Sequence, residues 1–344
     1  MRIKRHYALV AHSPDVVELR HGVWNPTSIT LTDESGSGRL FRFLRQLDGT
    51  VAPRALGHAE GIPPAQIDEI LDQLAQLDVL ETGASHALDY YLDNIVPNLV
   101  PFEKPAAPVR PTVVVAGTPP LADQLAGILA ANGAHDQYDV QRIDERLQRR
   151  LVEGGPGWLS DPLAFEERAV EFAPWKGRML AFVTASINPI ELHAINRICL
   201  HHRVQWIHAA IDGPFLLVGP AIVPHRSPCY ECLEMRVLMN MRNGASYQSY
   251  KAALVEGRVV RATAALDSVL SAMLVSLTSF EVLNLLLTDA TFTTGKMLSV
   301  YLPTLEFSVN EILRLPGCPA CSPPVESENR EMFFDIRAVL GRQG

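Results

Sequence analysis

The sequence predicts an α/β protein in two parts, a small α+β module followed by a larger domain of alternating strands and helices. Three observations carry that expectation. The first eighty residues place three short strand patterns ahead of three helical ones. A run of prolines between Val96 and Thr112 then breaks the apolar periodicity, and beyond it strands and helices alternate. At 344 residues the chain has room for about two domains. Apolar residues make up 47% and charged residues 20%, which excludes a disordered, collagen-like or coiled-coil chain. The 30 basic against 38 acidic side chains, a formal charge of −8, argue against nucleic acid as the main partner.

In the first part, Tyr7–His12, Val16–Arg20 and Ser28–Thr32 read as short strands, the last alternating polar and apolar as a half-buried strand does. Ser37–Leu47 places Leu40, Phe41, Leu44 and Leu47 on one helical stripe that ends at Asp48-Gly49. Pro53–Ala59 is a second short helix. A third starts at Pro63-Pro64 and carries Ile67, Ile70, Leu71, Leu74 and Leu77 on one face. Three strands with a tight helix-turn-helix form a winged-helix pattern. Such a module commonly reads DNA, but residues 1–81 hold eight Lys/Arg against eleven Asp/Glu. The third helix carries Asp68, Glu69, Asp72 and Asp78 and no basic residue, so phosphates would repel it.

A peptide suits these elements better. The third strand reads as an exposed edge to which an extended peptide adds as a further strand, with the third helix walling the groove. Backbone groups of Ser28, Ile29, Thr30, Leu31 and Thr32 would pair with it. Gln66, Ile70, Gln73 and Leu74 are the helix residues expected to face it, while Ile67, Leu71 and Leu77 are expected in the core. The sequence leaves open whether Ile29 and Leu31 or Ser28 and Thr30 meet the groove.

Residues 83–111 form a semi-rigid linker punctuated by Pro97, Pro101, Pro105, Pro108 and Pro111, dividing a module at 1–82 from a domain at 112–344. That domain opens on a buried strand, Thr112–Ala116, then Gly117 and a helix from Leu121 to Ala131. Strands at Tyr138–Ile143, Arg178–Val183, Val204–Ala210 and Phe215–Val223, with a helix at Pro189–His202, predict a mainly parallel sheet. Gly117 invites comparison with the Gly-x-Gly-x-x-Gly loop that cradles a pyrophosphate, but the second and third positions hold Pro119 and Ala122. Proline removes an amide donor and blocks close approach, so a tight turn kept for the fold is expected there.

Five cysteines are present. Cys229-Tyr-Glu-Cys232 and Cys318-Pro-Ala-Cys321, 85 residues apart, are two Cys-x-x-Cys turns, each able to offer two thiolates to one tetrahedral Zn²⁺. Four sulfur ligands close the site, so the zinc is expected to be structural. Cys199, on an apolar helix, reads as a core residue. The apolar run Tyr7–Ala11 is too short for a signal peptide, and Val269–Leu287 is interrupted by Glu281 and Asn284, the pattern of a buried helix rather than a membrane span. A reducing cytoplasm is the expected location.

Two resemblances sharpen these expectations. Ser13-Pro-Asp-Val-Val-Glu-Leu-Arg-His-Gly22, Leu44–Gly49 and Ile67–Glu81 resemble the PqqD-like recognition element that binds leader peptides of ribosomally made, modified peptides. Gly219-Pro-Ala-Ile-Val-Pro-His-Arg-Ser-Pro-Cys-Tyr-Glu-Cys-Leu-Glu-Met-Arg236, with the second Cys-x-x-Cys, resembles E1-like (ThiF-type) proteins over roughly residues 88–322 and implies a Rossmann-type α/β domain. Active members adenylate a carboxylate with ATP. Here Asp144 falls at the ribose-binding place, but the Asp-x-Thr-Asp-Asn stretch is replaced by Thr184-Ala-Ser-Ile-Asn188. The resemblance therefore implies an E1-like scaffold with a degenerate ATP site, and no bound ATP.

The fusion resembles the C-type or Ocin-ThiF-like leader-binding partners of thiazole/oxazole-modified microcin biosynthesis. It implies capture of a precursor leader peptide for a separate YcaO-type cyclodehydratase acting in trans, and a homodimer. The apolar helix from Thr263 to Leu287 suits either a core or that interface. Two rivals are an active adenylating E1-like enzyme and a winged-helix transcription regulator.

Overall fold

The computed structural model describes residues 1–24, 26–81, 111–131, 138–260 and 268–322. The prolines at 97, 101, 105 and 108 and the first residues of the helix expected from Thr263 lie outside them. The chain divides into two compact units, Met1–Tyr90 and Tyr91–Gly344.

In the first unit β1 (Arg2–Ile3) pairs antiparallel with β5 (Leu80–Glu81), tying the two ends of the unit together. Strands β2 (Ala8–Ser13), β3 (Val16–His21) and β4 (Thr27–Thr32) form an antiparallel sheet in that order, which leaves β4 at an edge. Helices α1 (Leu40–Gln46), α2 (Pro53–Ala59) and α3 (Pro64–Gln76) follow. Val17 and Leu19 of the central strand are fully buried and pack with Phe43, Leu44, Ile67 and Leu74. Helices α2 and α3 touch at Gly57, where any Cβ would lie 2.1 Å from Ile67 Cδ1, so only glycine admits this approach without repacking.

The apolar stripe of α3 differs at its end from the expected one. Leu77, expected in the core, is 42% exposed, because the helix stops at Gln76 and Leu77 is its cap. Asp78 then turns the chain in a left-handed conformation (φ 53°), and Lys4 donates to its carboxylate at 2.9 Å. Leu74, expected at the groove, is buried with Ile67, while Ile70 and Leu71 are half-buried.

The second unit is built on a seven-stranded sheet. Its strands are β6 (Thr112–Gly117), β7 (Asp139–Arg142), β8 (Met179–Thr184), β9 (Gln205–Asp212), β10 (Phe215–Ile222), β11 (Lys296–Tyr301) and β12 (Glu306–Glu311), ordered β12-β11-β10-β9-β8-β6-β7. Strands β7, β6, β8 and β9 are parallel; β9 to β12 run antiparallel. The sheet is therefore mixed where a mainly parallel one was expected. Gly213-Pro214 alone connects β9 to β10, and two residues permit only a hairpin, since a parallel return needs a crossover of a dozen or more.

The α-helices among its described residues are α4 (Pro119–Ala131), α5 (Glu145–Arg150), α6 (Pro162–Glu171), α7 (Pro189–His202), α8 (Tyr230–Asn240), α9 (Gly244–Val255) and α10 (Ser268–Thr288). Val114, Leu180, Phe182 and Trp206 share a core with Leu192 and Ile195 of α7 and Leu233 of α8. The alternate strand residues point to the other side, where α4 and α10 pack against the sheet and each other. By length and composition α10 passes for a membrane span, yet ten of its residues are buried in this fold. Glu281 at its centre accepts hydrogen bonds from Thr291 and Thr293.

Candidate functional site

The two Cys-x-x-Cys turns meet. Cys229 caps the N-terminus of α8 and Cys232 lies in its first turn; Cys318 and Cys321 sit in a turn closed by Ser322 N–H donating to the Cys318 carbonyl at 3.1 Å. The Sγ atoms are 3.9 Å apart for Cys229–Cys232, 3.7 Å for Cys229–Cys318 and 3.6 Å for Cys232–Cys321, and all four lie within 4.8 Å of one another. These separations are far too long for disulfides. They match the edges of a tetrahedron with metal–sulfur bonds of about 2.3 Å, about 3.8 Å. All four cysteines are buried, among Leu200, Leu315 and Ala320.

Burial pushes the Cys229 thiol up and takes Cys321 up to about 12. Cys232 is subject to the same burial, but N–H groups including that of Leu315, 3.3 Å away, hold it below its ordinary value. Packing several thiolates together in this apolar setting needs a cation to offset their charge. The four cysteines can hold one metal ion, and no open coordination position remains for a reacting molecule. Cys199 is fully buried in the α7 core, away from this cluster.

The loop after β6 has the position of a nucleotide cradle but not its chemistry. Gly117 (φ 119°) lies against β8, where a Cβ would be 1.8 Å from the Val183 carbonyl oxygen; packing alone demands glycine there. Its N–H donates to Gln148 Oε1 at 3.2 Å, and Gln148 Nε2 donates back to its carbonyl at 3.2 Å. Thr118 N–H donates to the Val183 carbonyl at 2.9 Å. Pro119 and Pro120 open α4 and have no N–H. From Gly117 to Pro120, then, no backbone donor is left for a phosphate.

Asp144 is spent as the N-cap of α5, accepting from Arg146 and Leu147 N–H at 2.8 and 3.1 Å. Asn188 likewise caps α7, accepting from Ile190 N–H at 3.2 Å. Glu145 and Glu191 line the cleft, but no carboxylate lies in the stretch from Thr184 to Asn188. The loop itself therefore offers a phosphate no backbone donor, while Arg142 and Arg149 line the cleft beside it. Sequence reasoning found Pro119, but Pro120 and Gln148 do as much to leave the loop without free backbone donors.

In the first unit a groove of about 480 Å³ runs between β4 and α3. Leu31 and Thr32 line one wall and Gln66, Ile70, Gln73 and Leu74 the other, so the structure brings these six sequence-derived residues together. Leu74 reaches it only from the core. Ser28, Ile29 and Thr30 continue along the same edge strand without lining the groove itself. Ile29 and Leu31 turn inward against the core, and Ser28, Thr30 and Thr32 are exposed. Glu69 of the acidic third helix lies at the groove, and Asp33 and Glu34 beside it were not anticipated. Asp33 accepts from Ser35 and Ser37, hydrogen bonds that lower its carboxyl below the ordinary value.

No protein-family model matches the sequence, and no curated protein matches it. Among solved structures, a heterocyclase in complex with substrate and cofactor is similar to the chain at 17% identity and a TM-score of 0.65, covering 93% of this chain and 39% of that one. The heterocyclase TruD is similar at 20% identity and 0.62, covering 93% and 42%. MccB of E. coli, solved with AMPCPP and MccA, is similar at 12% identity and 0.50, covering 93% and 99%. At these identities the likeness establishes the fold. The chain spans about two fifths of the length of the heterocyclases.

Proposed function

We propose that this protein captures the leader segment of a ribosomally made precursor peptide in the groove between β4 and α3. It delivers the core of that peptide to a separate YcaO-type cyclodehydratase, which forms thiazolines or oxazolines at the expense of ATP. The observation that carries the proposal is the edge strand Thr27–Thr32 facing α3 across an open groove. An added peptide strand satisfies its backbone there and places alternate side chains against Leu31, Ile70 and Leu74. The first unit acts as a winged helix used for peptide, with acidic residues on α3 that disfavour DNA. The fold likeness to heterocyclases over nearly the whole chain supports the same assignment.

The chain is a non-catalytic partner subunit. The Cys229, Cys232, Cys318 and Cys321 cluster holds one structural Zn²⁺, the ion whose preference for four sulfurs in a tetrahedron fits these distances. Holding the leader raises the concentration of the core at the cyclodehydratase, which accelerates modification without a catalytic group here. Thr30→Pro removes a ladder donor in β4 and is expected to weaken a fluorescently labelled leader at least tenfold in polarisation titrations, with an unchanged circular dichroism spectrum. Unchanged affinity would refute the leader assignment.

A second reading, an ATP-dependent adenylating enzyme, draws on the likeness to MccB solved with AMPCPP. Calorimetry with ATP and Mg²⁺ separates the two: heat of saturable binding favours the enzyme, and its absence favours the partner subunit.

A further inference from the structure

The groove between β4 and α3 sorts its residues by polarity. Leu31, Leu40, Ile70 and Leu74 make an apolar floor, on which Leu40 and Leu74 are buried and Leu31 and Ile70 half-buried. The rim is polar: Thr32, Glu34, Ser35, Glu69 and Gln73 are exposed. The free edge of β4 and this floor make the groove, and the charges on the rim set the sign of what it admits.

Three carboxylates stand there, Asp33 and Glu34 just beyond the end of β4 and Glu69 on α3, and among the described residues no Lys or Arg lines the groove. Asp33 accepts hydrogen bonds from the hydroxyls of Ser35 and Ser37 at 2.6 Å, which hold the turn but leave its charge in place. Other acids of this unit have cations of their own: Arg54 pairs with Asp68 at 3.0 Å and Arg42 with Glu60 at 3.4 Å. Among the described residues neither Glu34 nor Glu69 has such a partner.

We infer that the peptide bound here carries a lysine or arginine that points into the groove beside Leu31, its aliphatic stem on the floor and its cation between Glu34 and Glu69. Lys and Arg are the side chains that join a long apolar stem to a charged head, and a floor of leucine and isoleucine under a carboxylate rim matches both parts. A glutamate or aspartate at the same place would face three like charges, so the rim also rejects acidic peptides. This selectivity rests on the groove being the leader site and adds the chemical class of leader that the site accepts.

The test selects phage-displayed random dodecapeptides on the full chain and measures a selected peptide, labelled with fluorescein, by polarisation. The selected peptides are expected to share one basic position. Replacing that residue by glutamate should weaken binding about tenfold or more. Raising sodium chloride from about 50 to about 500 mM should weaken the basic peptide several-fold, because the rim is exposed to solvent. The double variant Glu34→Lys, Glu69→Lys should bind the glutamate peptide better than the basic one, a reversal that mere loss of structure cannot give. Thr30→Pro distinguishes the site from its selectivity. Peptides that lose affinity in Thr30→Pro but show no basic preference, or no reversal in the double variant, overturn the basic-leader inference and leave the leader site standing. Affinity unchanged in Thr30→Pro, or a library that yields no binder, overturns both.

Discussion

The loop after β6 and the cysteine cluster are both short motifs at the ends of regular elements in the same unit, yet they differ in what their polar atoms are doing. In the loop every donor is committed: Gly117 to Gln148, Thr118 to Val183, and two prolines with nothing to give. In the cluster four sulfurs converge within 4.8 Å with few other partners. Geometry that resembles a binding site becomes one only when its groups are uncommitted. That distinction is testable by releasing committed groups and by removing uncommitted ones.

The largest effect is expected from the cluster. Cys318→Ser should reduce the metal content measured by plasma emission from about one ion per chain to near zero, and lower the thermal midpoint by about 10 °C or more, because structural metal binding is folding free energy. A variant that keeps both values would place the cluster with the committed groups. Gly117→Ala comes next, at about 3 kcal/mol in urea denaturation, since it adds a methyl against the Val183 carbonyl and strains a positive φ.

Glu234 sharpens the comparison from the other side, as a committed charge. Burial would raise its carboxyl, but His193, Lys251 and Tyr247 outweigh that and hold it at about 2, below the ordinary 4.5. A depressed folded value stabilises fully above about 4.5, and the contribution is lost as pH falls towards 2. His193, raised by Glu231 and Glu234 against its own burial, contributes with the opposite sign, losing its share as pH rises through its folded value. Glu234→Gln should therefore cost about 2 kcal/mol at pH 7, with a deficit that shrinks by pH 3, as denaturation at both pH values would show.

The smallest effect is expected from Gln148→Ala. It frees both backbone groups of Gly117 at a cost of about 1 kcal/mol, and isothermal titration should still detect no ATP. Binding gained on that one change would mean that a single side chain, and not the two prolines, keeps nucleotide out.

Much of the architecture was legible because periodicity and punctuation agree. Pro53–Ala59 and the strand starting at Val16 are found where the sequence puts them. Other features have no local signature. The exposure of Leu77 depends on a left-handed Asp78 that ends α3 early. Strands β11 and β12 were missed, although Glu306–Glu311 alternates polar and apolar; the strand is exposed along its whole length, so that alternation marks no buried face. Gln148 is an ordinary residue on a polar helix until the fold sets it beside Gly117. His208 reads as one polar letter in an apolar strand, and only the fold shows how completely it is buried.

The spacing of the cysteine pairs also sets a schedule for biosynthesis. With 85 residues between Cys232 and Cys318, a ribosome adding about 5–20 residues per second releases the second pair roughly 4–17 seconds after the first. Until then any cation held by Cys229 and Cys232 has only half its ligands and exchanges freely. Helices α9 and α10 and strands β11 and β12 all lie between the pairs and must reach their places before the last two sulfurs can close. A metal held by all four sulfurs would therefore mark a chain in which both pairs have met, and a chain truncated before Cys318 would lack two of the four ligands.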